Sequence, residues 1–172
     1  MATNSTASKK KRAEAFADYV IGRLKEDNAF GAMLRRADNP ATEYQAWEYL
    51  VHWCDIDKLW ERLPFAFIAA ALARAKPAKD GHLGIGRSIS QCYEDGRNSD
   101  AAKAKLRRLL ACSNTEEACR IVRPLLSLIQ SRGVSIHYGG LLDELLWFGE
   151  KQKLRWASDF YGRRGDHDSY NA

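Results

Sequence analysis

Residues 99–112 read SDAAKAKLRRLLAC, and the spacing of their apolar side chains is that of an amphipathic helix. At about 100° per residue, Ala102, Leu106, Leu109 and Leu110 gather on one face. Lys103 and Arg107 border that face on one flank, Lys105 and Arg108 on the other. Ser99 and Asp100 are both N-cap candidates, because a short side-chain oxygen accepts from the orphan amides of a first turn. The pattern predicts a helix anchored through its leucines that presents fixed positive charge, which suits an extended polyanion.

The same period runs outward in both directions. Downstream, Ser113 or Asn114 caps a segment with Glu116 and Glu117 in its first turn, and Pro124 is expected to split or kink it into 115–122 and 124–131. Gly133 is a natural stop, and helices are expected at 138–148 and 150–161, joined at Gly149. Upstream lie a turn at Asp95-Gly96, a short helix at 87–93, and KPAKDGHLGIG at 76–86, which reads as a flexible linker. Before it, PFAFIAAALARA at 64–75 is apolar nearly all round and predicts the most buried helix. Asp57 is expected to cap a separate helix over 58–63, with Pro64 opening the next. Thr42 and Gln45 suggest a capping box, with Tyr44, Trp47 and Val51 along the apolar side that follows. Asn28 is expected to cap a short helix carrying Phe30, Met33 and Leu34, and Phe16, Val20, Ile21 and Leu24 share the face of a helix beginning at Arg12.

No strand pattern or repeat interrupts this series, so the fold class is all-α: an elongated helical bundle of roughly eight to ten helices in two packed lobes. The lobes are expected at 12–75 and 87–161, with a flexible basic tail at 1–11 and a loose tail at 162–172.

Hydrophobic content of 45% excludes wholesale disorder, and the longest uncharged apolar run, 63–73, is too short to span a membrane. No apolar signal segment opens the chain, and Cys54, Cys92, Cys112 and Cys119 form neither a CxxC pair nor a zinc spacing. The expectation is a reduced, cytoplasmic protein with free thiols and no cofactor. Net charge is only +5, but it is unevenly spread: 38–57 holds five acids and no Lys or Arg, whereas 101–123 holds six bases against two acids. That segregation predicts a basic surface opposed to an acidic one.

Catalytic chemistry finds little to stand on. His52, Cys54, Asp55 and Asp57 are the densest set of potential ligands, yet on a helix His52 and Cys54 lie about 200° apart. Gly81, Gly84 and Gly86 lack the preceding strand and the Lys-Ser/Thr pair of a phosphate loop. Trp47, Trp53, Trp60, Trp147 and Trp156 lie mostly at helical spacing with other apolar residues, which favours core packing over base stacking. What stands is the cationic set, a composition suited to binding the backbone of a free strand without reading bases. Three functions stay open on the residues alone: a subunit of a nucleic-acid assembly, a free-standing helical nucleic-acid-binding protein or regulator, and a small hydrolase built on the His52 cluster.

AMLRRAD (32–38), the apolar helix after Pro64, LGIGRSIS (83–90), KLRRLLAC (105–112), IVRPLLSLI (121–129) and LLDELLWFGEKQKLRWASDFY (141–161) follow one another in a familiar order. In these the chain resembles the CasB family, the small subunit of the type I-E CRISPR surveillance complex, Cascade. The resemblance implies a non-enzymatic helical subunit that assembles head to tail with a second copy. It also implies contacts with the backbone and large subunits, and a positive surface for guide RNA and target DNA strands that stabilises the R-loop and its displaced non-target strand. Carried over position by position, it implies nucleic-acid contacts at Arg35 and Arg36, at Lys105, Arg107 and Arg108, at Arg123, and at Lys151 and Lys153. Arg87 holds the family position after LGIG, where packing or capping explains it equally well, and Glu150 stands where a cation would suit the pattern.

Overall fold

Leu59–Ala75 forms one continuous helix whose residues from Pro64 to Ala73 are all buried. Five alanines among them let neighbouring helices approach closely, while Phe65, Phe67, Ile68 and Leu72 fill the space between. Full burial of each of these larger side chains is worth about 1.5–3 kcal/mol, so this helix is the natural centre of the fold. The structure, a computed structural model, describes residues 3–162, apart from the side chains of residues 3–10.

Among the described residues all regular structure is helical: α1 Thr3–Leu24, α2 Asn28–Leu34, α3 Trp47–Leu50, α4 Leu59–Ala75, α5 Ile85–Gln91, α6 Asp100–Leu110, α7 Thr115–Ser131, α8 Tyr138–Leu146 and α9 Glu150–Tyr161. Short 3-10 turns precede α3 and α6. α1, α2 and α8 gather on α4, whereas α5 packs along α9 with α6 beside them; α7 touches both groups. α8 therefore belongs by contact with the N-terminal helices, although it follows the glycine-rich segment in sequence. One hydrophobic cluster runs from Ala13 to Phe160 through both groups.

The glycine-rich segment is packed, not loose. A Cβ on Gly86 would lie 2.1 Å from the Trp156 carbonyl oxygen, one on Gly81 2.2 Å from the Ile136 carbonyl oxygen, and one on Gly84 2.5 Å from Asp159 Oδ2. Close approach of the Ile136 and Trp156 backbone and of the Asp159 side chain, rather than flexibility, is why glycine stands there. Carboxylates remote in sequence cap the helices that begin nearby. Asp159 Oδ2 accepts from the Arg87 amide of α5 at 2.9 Å, and Asp80 accepts from the Tyr138 and Gly139 amides of α8 at 2.7 and 3.0 Å.

Several local expectations are corrected. Asp27, not Asn28, caps α2, accepting from the Phe30 amide at 2.9 Å. Thr42 makes no capping bond and instead donates to the Arg36 carbonyl at 2.9 Å, so no capping box forms. Asp57 caps nothing: residues 59–63 and 64–75 are one helix with Pro64 inside it. α7 is likewise unbroken at Pro124, which is exposed, as is the Arg120 whose carbonyl it leaves without an intrahelical donor. A proline costs least where water can satisfy that carbonyl. The helix read from Arg12 begins at Thr3, and Arg12 itself is spent on Glu61 at 2.7 Å. Of the expected C-terminal tail, 162–172, all but Gly162 lies outside the described residues.

The tryptophans divide. Trp156 is buried and Trp53 packs against the core, but Trp47, Trp60 and Trp147 are 39%, 54% and 41% exposed. Tyr44 and Val51, expected on an apolar inner side, also face out. Their segment is only a 3-10 turn plus one helical turn, too short to hold a stripe against the core.

Candidate nucleic-acid interface

α6 forms as its period predicts. Ser99 Oγ accepts from the Ala102 amide at 3.3 Å, and Ala102, Leu106 and Leu109 are fully buried. That burial turns Arg107 and Arg108 to solvent, where neither meets a carboxylate among the described residues. Lys105 is half-buried on the flank toward Cys92 of α5, close enough for its charge, with that of Arg132, to be felt by the thiol. Lys103 pairs loosely with Asp100 at 3.7 Å.

A second set forms around one carboxylate. Asp38, its side chain 3% exposed, accepts from Arg74 Nη2 on both oxygens at 2.6 Å and forms an ion pair with Arg123 Nη2 at 2.7 Å. Arg123 Nη2 also donates to the Asp38 carbonyl at 2.9 Å. Arg35 and Arg36 follow α2 directly and are exposed, with Arg36 Nη1 donating to Gln45 Oε1 at 3.4 Å. Two guanidiniums thus meet on one sealed carboxylate, and two more exposed arginines precede it in the chain. Arg74 belongs to no motif that the sequence suggested; its position in the last turn of α4 reads as ordinary helix-dipole pairing.

On α9, Lys151 is exposed and Lys153 half-buried, its ammonium 5.6 Å from the Phe148 ring centroid. Buried thiols link these sets. Cys119 of α7 feels the charges of Arg123 and Asp38, and Cys112 at the end of α6 feels those of Lys153 and Arg120. Burial dominates both thiols and pushes Cys119 up to about 12. The first half of α7 therefore connects the Asp38 cluster with the junction of α6 and α9.

Arg87 stands apart from that line. It borders a cleft of about 590 Å³ between α5, α8 and α9, together with His82, Arg155, Glu144 and Asp159. Arg155 lies about 200° around α9 from Lys153, so the cleft opens on another flank of that helix.

The expected acidic face is mostly consumed internally. Of its five acids, Asp38 is buried under arginines, Glu43 pairs with Arg62 at 2.6 Å and Asp55 with Lys58 at 2.9 Å. The His52 cluster does not converge either. Cys54 is buried, its thiol pushed up to about 12 by desolvation and donating to the Leu50 carbonyl at 3.5 Å, while His52 points to solvent. A neutral buried thiol is a poor nucleophile and a poor metal ligand.

These features define a class: an all-helical protein that displays clustered cations on a rigid apolar core. The sequence profile of the family CRISPR-associated protein Cse2 matches residues 31–161, and the chain belongs to that family. The fold is shared with a structure described as a CRISPR RNA-guided surveillance complex, at 22% identity over 88% of this chain and 92% of that one, TM-score 0.72. It is shared also with CasB from Thermus thermophilus, at 23% identity over 88% and 98%, TM-score 0.69. CasB from M. ruber aligns at 24% identity over 87% and 92%, TM-score 0.67. Curated proteins yield no match. The resemblance to CasB and the all-α class are borne out, and the four cysteines are buried and unpaired. No described helix is long and apolar enough to cross a membrane.

Proposed function

We propose that this protein is the non-catalytic small subunit of a type I-E CRISPR surveillance complex, holding sugar-phosphate so that the R-loop and the displaced non-target strand stay open. The observation that carries this reading is α6, whose buried leucines fix Arg107 and Arg108 outward and unpaired among the described residues. Lys105, Arg35, Arg36, Arg123, Lys151 and Lys153 extend the positive surface, and Arg87 supplies a separate contact at its cleft. Guide pairing reads sequence in such assemblies, so a subunit that touches only the backbone is sufficient. Its partners are the guide RNA and target DNA strands, the backbone and large subunits, and a second copy met head to tail. Membership in the Cse2 family and the fold shared with a surveillance-complex chain support this assignment.

The test is reconstitution. Co-expressed with its neighbouring subunits and a guide, the protein is expected to elute with RNA in one assembly. An Arg107→Glu, Arg108→Glu double variant is expected to assemble normally yet leave the displaced strand open to permanganate or nuclease probing for a shorter time. A chain that always elutes alone, or a double variant with unchanged R-loop lifetime, overturns the proposal.

A further inference from the structure

We propose that Arg74 and Arg123, held by Asp38, form a two-arginine clamp for a single backbone phosphate, with Asp38 as its positioning residue. This rests on the reading that a strand lies along the cationic surface, and it adds to it a contact, Arg74, and a cause for the geometry.

Each arginine spends the same atom on Asp38. Nη2 of Arg74 and Nη2 of Arg123 reach the carboxylate, leaving Nη1 and Nε of each without a partner among the described residues. The carboxylate is sealed at 3% exposure, whereas the arginines remain 36% and 48% exposed. Asp38 therefore lies beneath two arginines that solvent still reaches. Two guanidiniums against one carboxylate leave a net positive charge, and Arg35 and Arg36 add to it from the residues just before Asp38. A small hollow between α4 and α7 is lined by both arginines and by apolar neighbours such as Phe67 and Leu126; Ser127 and Gln130 on its wall already donate to the Arg123 and Ala75 carbonyls, so the arginines are its charged donors. Planar N–H donors fixed in advance match phosphate oxygens and lose less side-chain freedom on binding than free arginines would. The clamp also ties the residues after α2 to α4 and α7, so the strand contact and the packing of three helices share one anchor.

Charge and geometry make opposite predictions for Asp38→Asn. Removing the carboxylate raises local positive charge, so if Asp38 merely dampens the arginines, affinity rises. If it positions them, affinity falls, because an amide offers one acceptor oxygen and turns an N–H₂ toward the other guanidinium. The probe is a fluorescein-labelled oligothymidine, titrated into the full-length protein at several salt concentrations, with helicity and melting temperature recorded in parallel. We expect Asp38→Asn to bind about 5-fold more weakly despite its extra charge. Arg74→Gln is expected to reduce the slope of log K against log salt by about 0.7, one phosphate contact's worth on a single strand. Arg74→Gln and Arg123→Gln together are expected to cost less than the sum of their separate effects, since they serve one phosphate.

Tighter binding by a folded Asp38→Asn, or an unchanged salt slope in Arg74→Gln, overturns the clamp. If Asp38→Asn does not fold, the arginine pair decides: strict additivity or no effect overturns it, and sub-additivity upholds it. Arg108→Glu separates the two levels. Loss of affinity there with a failed clamp rejects only the clamp, while wild-type protein that does not bind, or binding indifferent to Arg108→Glu as well, rejects the strand-holding reading with it.

Discussion

Glu144 shows how a side chain can be costly where it lies and still be needed. It is buried on α8, accepts the Trp156 indole N–H at 2.7 Å and approaches Arg155 Nε at 3.4 Å. Burial raises its carboxyl above the usual 4.5, the indole bond and Arg155 opposing that shift only in part. A carboxyl whose folded pKa exceeds its unfolded one binds its proton more tightly in the native state. Its contribution to stability is therefore complete below about pH 4.5 and is lost as pH rises through the folded value. Glu144→Gln keeps the acceptor and removes the charge, so its urea midpoint is expected to match or exceed wild type at neutral pH and to decline less from acid to neutral. Glu144→Leu strands the indole N–H and is expected to cost about 1–3 kcal/mol. Equal losses in both variants would show that the hydrogen bond is not what Glu144 supplies. Neither Glu144 nor Asp38 was legible beforehand. Asp38 meets its arginines 36 and 85 positions away, whereas the outward turn of Arg107 and Arg108 followed from their local period alone.

Among the elements, those organised by a hydrophobic period were readable and those organised by proline or glycine were not. α6, α8 and α9 lie within two residues of their expected ends, because their buried stripes repeat every three or four residues. Pro64 argued for a helix start and Pro124 for a break or kink, yet α4 and α7 each continue through their proline as one helix. Sequence shows that a proline removes a donor, but not whether the orphaned carbonyl reaches water. Glycines misled in the other direction: Gly81, Gly84 and Gly86 suggested a flexible linker and instead mark close approaches. Gly86 is the strictest, since the added methyl would meet the backbone of α9, at the Trp156 oxygen and at 2.9 Å from the Phe160 nitrogen. Backbone cannot swing aside as a side chain can, so α5 and α9 would have to separate. Gly86→Ala is expected to destabilise by about 3 kcal/mol, the upper end of overpacking costs. Gly133→Ala, with open space around it but φ of +65°, is expected to cost less, through backbone strain alone. Denaturant midpoints compare the two, and a silent Gly86→Ala would mean that the α5–α9 contact is looser than its geometry.

Across the whole molecule, the question is whether affinity follows net charge or placed charge. The +5 excess is small, and an acidic stretch beside basic ones suggested two opposed faces. Folding instead ties Asp38, Glu43 and Asp55 to cations, while Arg107 and Arg108 meet no carboxylate among the described residues. Tertiary pairing of this kind is invisible to a charge count along the chain. Binding by placed charge predicts that Arg107→Glu with Arg108→Glu flattens the salt dependence of single-strand affinity by about 1.4 in log K per log salt, two phosphate contacts at about 0.7 each. Glu48→Lys with Asp57→Lys changes net charge by the same amount in the opposite sense, at exposed positions in the acidic stretch. That control is expected to leave the slope where it is and to shift affinity only weakly, most visibly below about 0.1 M salt, where the Debye length exceeds about 10 Å. Fluorescence anisotropy over a salt series reads both variants. Should the control tighten binding as much as the arginine variant loosens it, affinity would track total charge, and the rigid presentation of α6 would play no part in it.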